Sequence, residues 1–185
     1  PGARIVVNDV LMIVDFQKYW VERNPETARR ILESAEAARA QGTTILWTYV
    51  LGDPNDKAFF YVPPPEQAGH RNVRDIFTGR ARFSEIFYPV VQPRPEDFVA
   101  GKRPDETDAF SNPCLESFLG GREQIYVTGF MHSYCVYNTV QFGVYAKLPI
   151  VVLSGLTADK HDKIEIGKRD FEAAGIVVRS AAEFP

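Results

Sequence analysis

The chain has 185 residues, 45% of them hydrophobic and 24% charged, a balance that fits one folded domain around a single core and excludes disordered, collagen-like and coiled-coil chains. Lys and Arg number 21 against 24 Asp and Glu, so the net charge of -3 gives no electrostatic ground for a nucleic acid or an anionic membrane as partner. No apolar run nears the roughly 20 residues that span a bilayer and the first residues lack a signal-type apolar segment, so a soluble, cytoplasmic protein is expected, in which the two cysteines, Cys114 and Cys135, are free for chemistry other than a disulfide framework.

In chain order, the first predicted strand covers 9–15 and is apolar on both faces, as a central parallel strand is. A helix follows over 25–41, with Ala28, Ile31, Leu32, Ala35 and Ala38 at helical spacing, Pro25 at its start and Gly42 as its stop. Residues 43–49 read as a second strand and 97–101 as a third. Between them, residues 53–95 hold seven of the 13 prolines and read as loops and short turns crossing the surface.

Beyond the third strand come a short helix over 113–119, a strand over 124–128, a helix from about 133 to 146, a strand over 149–153, a helix over 160–174 and a last strand over 175–179. Strands alternating with helices of this length predict right-handed βαβ units. The fold class is therefore α/β: one domain over residues 1–185, with a mostly parallel six-stranded sheet and helices on both faces.

In such sheets ligands bind outside the carboxyl ends of the strands, where the strand order reverses. Three reactive residues fall at strand ends: Asp15 closes the first strand, Lys102 lies just past the third, and Cys135 sits in the first turn of the helix after the fourth. A helix N-terminus and a nearby ammonium both favour thiolate, and Asp15 is able to accept the thiol proton. Each residue also has a plainer role: Cys135 as a small core hydrophobe, Asp15 as a turn cap, Lys102 beside Arg103 as a solvated charge. Their shared sheet edge favours the chemical reading.

The sequence then resembles a known family, the isochorismatase-like cysteine hydrolases, which include nicotinamidases, N-carbamoylsarcosine amidases and related amidohydrolases. The run Leu-Met-Ile-Val-Asp-Phe-Gln at 11–17 is similar to the family strand that ends in an Asp base. Residues 83–102, followed by Ala109 and Phe110, resemble the segment that delivers the family's lysine, and residues 126–139 resemble the stretch that carries the nucleophile. The resemblance implies Asp15, Lys102 and Cys135 as catalytic residues. It also implies a cis peptide bond between Phe130 and Met131, an oxyanion hole made by the N–H groups of Met131 and Cys135, and a homo-oligomer in which a partner chain can complete the pocket.

Departures from the family pattern are equally specific. Metal-dependent members carry Asp-x-His after the second strand, whereas this chain reads Thr-Tyr-Val-Leu-Gly-Asp over 48–53, and His70 alone is no ligand set. No catalytic metal and no cofactor are expected, and nicotinamidase activity is disfavoured. Three acidic residues, Asp105, Glu106 and Asp108, follow Lys102, and Ser133 stands two residues before the nucleophile where relatives often have Asp. By position, Trp20, Phe110, His132 and Tyr134 are candidates for contact with a small-molecule substrate, although aromatic residues at such spacings are as often core. Arg71, Arg74, Arg80 and Arg82 read either as a carboxylate-recognition group or, more readily, as a solvated loop face, and Cys114 reads as packing.

The expected activity is metal-independent hydrolysis of a C–N bond in a small amide, carbamoyl or ureido compound through a cysteine thioester. A thiol-independent vinyl-ether hydrolase and a non-catalytic binding or scaffold member of the fold are the alternatives.

Overall fold

The computed structural model describes residues 8–50, 89–91, 93–102, 106–164 and 171–184. Six strands form one sheet: β1 (Val10–Val14), β2 (Thr44–Val50), β3 (Phe98–Lys102), β4 (Ile125–Phe130), β5 (Ile150–Ala158) and β6 (Val177–Ser180). Their order is β3-β2-β1-β4-β5-β6, and every pair is parallel. The chain builds outward from β1 through β2 to β3, then returns to lay β4 against the free side of β1. The order therefore reverses between β1 and β4, and the crevice at their carboxyl ends is where this class of sheet receives ligands.

All five residues of β1 are fully buried, because a central strand carries cover on both faces. Leu11 and Ile13 join one core with Ile31, Ala35 and Ala38 of α2 (Pro25–Gln41). Val10, Met12 and Val14 join the other, with Leu115, Phe118 and Leu119 of α3 (Leu115–Leu119) and Val140 of α4 (Tyr137–Tyr145). A one-turn helix, α1 (Lys18–Val21), lies between β1 and α2 and has no counterpart in the sequence reading.

α2 has the predicted bounds, with Pro25 at its start and Gly42 in the left-handed conformation (φ 88°) at its end. Its own N-cap, Asn24, makes no side-chain cap; Asp162 supplies one from the far end of the chain, its carboxylate accepting from Thr27 N (2.7 Å) and Glu26 N (3.3 Å). Asp97, just before β3, accepts from Arg39 Nε (2.9 Å) and Nη2 (2.6 Å) and from Trp47 Nε1 (2.8 Å). It thus ties the entry of β3 to α2 and β2.

Three expectations need correction. β5 continues five residues past 153, because the Ser154–Gly155 interruption of its apolar run is a kink, with Gly155 at φ 79°, after which Leu156, Thr157 and Ala158 are buried again. The helix expected from about 133 begins as a π-helical turn (His132–Val136) and becomes α-helical only at Tyr137. At the described ends of the helix expected over 160–174 the chain turns instead: Lys160 and Lys163 form an antiparallel bridge, and residues 171–175 are turns. The loop expectation for 53–95 falls mostly outside the described residues, as do His70, Arg71, Arg74, Arg80 and Arg82.

Candidate active site

Asp15 is the first residue past β1 and has φ 53°, a left-handed conformation that an Asp tolerates better than most residues. Its N–H donates to Thr48 O (3.0 Å) and its C=O accepts from Gln17 N (2.7 Å). The fully buried Gln17 side chain then donates to Val50 O (3.0 Å) and accepts from Val50 N (2.9 Å), which closes the end of β2 over the turn. The turn is thereby held from both sides, and the carboxylate has a fixed direction.

Lys102 is the last residue of β3, one position further into the strand than the sequence reading gave. β3 lies two strands from β1, a gap of about 10 Å at ordinary strand spacing, which the lysine stem is long enough to cross. Its Nζ reaches Asp15 Oδ2 at 2.7 Å, with the two side chains 1% and 0% exposed, and Nζ also donates to Thr107 O (3.3 Å). A lone buried charge is costly, so each ion is tolerable here because the other is present.

Cys135 lies in the π-helical turn, where Val136 N donates back five residues to Met131 O (2.9 Å). Such turns are rare and frequently occur at functional sites. The half-buried thiol is within hydrogen-bonding reach of both the Asp15 carboxylate and the Lys102 ammonium. Burial and the Asp15 charge push the thiol up to about 11, against the opposing pull of Lys102. The helix N-terminus and Lys102 were expected to favour thiolate; at this site burial and the Asp15 charge pull the other way and outweigh Lys102. Burial also raises Asp15 despite Lys102, and although burial works against the charge on Lys102, Asp15 and Cys135 outweigh it and raise the ammonium.

The peptide bond between Phe130 and Met131 is cis, as the resemblance implied. Just before it, Gly129 has φ 109°, and a Cβ there would stand 2.1 Å from Val14 O and 2.6 Å from Val14 N. Only glycine lets β4 approach β1 this closely, at the residue preceding Asp15. Sequence reasoning missed this requirement, and it missed Asp159, the fully buried carboxylate that follows β5 as Asp15 follows β1. Asp159 Oδ1 accepts from Ser133 N (2.8 Å) and Oδ2 from Ser133 Oγ (2.8 Å). Ending β5 at 153 hid Asp159, since it then read as part of a loop.

The four candidate substrate contacts lie in different settings. Trp20 is partly buried against the α2-side core with its ring edge-on to Tyr19 (4.5 Å). Phe110 is buried and stacks on Phe142 of α4 (4.7 Å). His132 is buried, with Nδ1 hydrogen-bonded to Thr157 Oγ1 (2.7 Å) and its ring against Phe171 (4.5 Å). Tyr134, beside the nucleophile candidate, is 50% exposed. Cys114 is buried at the start of α3, its N–H on Asn112 Oδ1 (3.1 Å), which matches the packing role expected of it.

The segment after β2 where a metal motif would stand lies outside the described residues. Tyr49 is buried in the core and the backbone of Val50 is taken by Gln17. Among the described residues no three His, Cys, Asp or Glu side chains converge as a ligand set, and Asp53 and His70 fall outside them. No helix among the described residues is long and apolar enough to cross a membrane.

The isochorismatase domain model matches residues 9–183. No curated protein matches the chain in sequence. Among solved structures it is similar to the pyrazinamidase of Pyrococcus horikoshii in complex with zinc, at 18% identity and a TM-score of 0.66 over 94% of this chain and 99% of that one. The N-carbamoylsarcosine amidase of Thermoplasma acidophilum gives 16% identity and a TM-score of 0.68 over 95% and 97%. An isochorismatase-like hydrolase from Alkaliphilus metalliredigens gives 16% and 0.67 over 95% and 96%. At these identities the likeness is one of fold.

Proposed function

Given that the chain belongs to the isochorismatase family and has its hydrolase fold, we propose that it is a metal-independent cysteine hydrolase acting on the C–N bond of a small amide, carbamoyl or ureido compound. The observation that carries this reading is the buried Asp15–Lys102 pair at 2.7 Å with the Cys135 thiol in reach of both. A neutral thiol against a carboxylate is the arrangement in which the proton leaves sulfur only as the sulfur attacks.

In the proposed reaction Asp15 takes the thiol proton while Cys135 Sγ bonds to the substrate carbonyl carbon. The resulting oxyanion is held by the N–H groups of Met131 and Cys135, each such donor being worth about 3 kcal/mol at a transition state. Asp15 returns the proton to the nitrogen, the C–N bond breaks, and the amine or ammonia leaves a thioester on Cys135. Water then attacks the thioester as Asp15 takes one of its protons. Collapse releases the acid, and the proton returns to sulfur. Lys102 opposes the burial that raises Asp15 and balances the charge that passes between oxygen and sulfur.

Trp20, Phe110, His132 and Tyr134 remain the proposed substrate contacts, with Tyr134 the one most open beside the thiol. The homo-oligomer belongs to the same proposal and is checked by light scattering on the eluted protein.

The test is ammonia release from a panel of small amides, carbamoyl amino acids and ureides, run with the parent protein and Cys135→Ala. Turnover by the parent that vanishes in the folded variant supports the reading. Amide turnover that survives the substitution overturns the cysteine mechanism, whereas hydrolysis of a vinyl-ether compound by both proteins, with no ammonia from the panel, supports acid catalysis by Asp15 instead, which the raised carboxyl of Asp15 favours.

A further inference from the structure

The turn that carries Cys135 begins with a donor problem. The first N–H groups of any helical segment lack an intrahelical acceptor. Here the residue at the cap position is Met131, whose side chain makes no cap among the described residues. Asp159 answers from another strand end: one carboxylate oxygen takes Ser133 N and the other takes Ser133 Oγ, both at 2.8 Å, with Asp159 0% exposed.

Asp159 is itself fixed at both backbone ends. Its N–H donates to Lys163 O (2.9 Å), and its C=O accepts from Asn24 Nδ2 (3.3 Å). Asn24 in turn donates to Trp20 O (2.8 Å) and accepts from Asp162 N (2.9 Å). A chain of hydrogen bonds thus runs from the entry of α2 through the end of β5 to Ser133, two residues before the thiol. His132, at the start of the same turn, is held by Thr157 of the same strand.

We infer that Asp159 is a positioning residue: through its two bonds to Ser133 it sets the π-helical turn so that the Cys135 thiol meets Asp15 and Lys102. Asp159 touches neither the thiol nor the substrate in this assignment, and its effect is on geometry. The inference rests on the proposed role of Cys135 as nucleophile. An amide at position 159 preserves both bonds, since its oxygen accepts from Ser133 N and its NH2 donates to Ser133 Oγ, whereas a methyl preserves neither.

The test compares Asp159→Asn and Asp159→Ala in the intact chain, each first shown to be folded by its thermal transition. The primary readout is the rate of Cys135 modification by iodoacetamide, with Cys114 as internal control. Where the amide panel yields a substrate, kcat and KM are measured separately. Asp159→Ala is expected to slow both Cys135 modification and kcat, on the order of 100-fold for a displacement near 1 Å, with KM little changed. Asp159→Asn is expected to keep both rates close to the parent's.

A folded Asp159→Ala whose Cys135 reacts at the parent rate overturns the inference. So does Asp159→Asn if it is as impaired as Asp159→Ala, since the charge rather than the geometry would then matter. Should Asp159→Ala fail to fold, Asp159→Asn and Ser133→Ala decide: parent-like rates in the first with slowed rates in the second support positioning, and any other pairing overturns it. A parent protein that turns over no amide while Cys135 modification still follows this pattern would sink the proposed hydrolysis and leave the positioning role standing.

Discussion

At Cys135 the decisive quantity is the balance of forces on one proton. Burial and the Asp15 charge hold the thiol up to about 11, and Lys102 only partly offsets them. A thiol held up in this way gives up its proton as it attacks, and its reactivity then depends on Asp15 being ionised when the substrate arrives. Burial raises Asp15, so the acid limb of kcat/KM is expected above the ordinary carboxylate range near 3.8, and it follows the titration of Asp15 rather than that of a thiol. A pH profile of kcat/KM checks this, and Asp15→Asn is expected to lower kcat by about 100- to 10,000-fold, the usual contribution of a general base. The three residues themselves were legible in the sequence because each sits at a strand end, where parallel topology gathers side chains. The direction of the thiol's shift was not, since it depends on how completely Asp15 and Lys102 are removed from water.

At the scale of elements, the strong patterns were read correctly. β1, β2 and α2 lie within a residue of their predicted bounds, because uninterrupted apolar runs and the Pro25 and Gly42 stops leave little latitude. The reading failed where one feature had two meanings. Ser154–Gly155 looks like a strand terminus but is a kink inside β5, and Asp159 was lost with the strand's true end. The close approach of β4 to β1 was equally invisible, because it depends on which strands become neighbours. It supports a specific expectation: in Gly129→Ala the new Cβ meets Val14 backbone, which cannot move aside as a side chain tip can. Thermal or urea unfolding should show a loss of about 1–3 kcal/mol, as overpacking in a core costs, together with reduced turnover because Asp15 follows Val14 directly.

For the molecule as a whole, the fold buries three groups whose protons are bound more tightly in the folded state than in the unfolded chain. Cys135 is raised from 9.0 to about 11, Lys102 is raised above 10.5, and buried Tyr49 is raised well above 10.0. For each, the folded state holds more protons than the unfolded state between the unfolded and folded values. Stability present below the unfolded value is therefore lost as pH rises through that window. The urea midpoint is expected to fall steadily above about pH 9, and to fall less steeply in Cys135→Ala, where one of the three groups is gone. Nothing in composition signals this; net charge is only -3, and the effect comes from which charges the fold buries together.

Turnover through the proposed mechanism passes through a thioester on Cys135. Hydroxylamine partitioning tests it most directly: with an amide substrate found in the panel, the acyl product is divided between free acid and hydroxamate as hydroxylamine is raised. Hydroxamate is expected to appear at the expense of acid while each acyl group released still corresponds to one ammonia, because water and hydroxylamine compete for one intermediate. Free acid as the sole acyl product at every hydroxylamine concentration would contradict it.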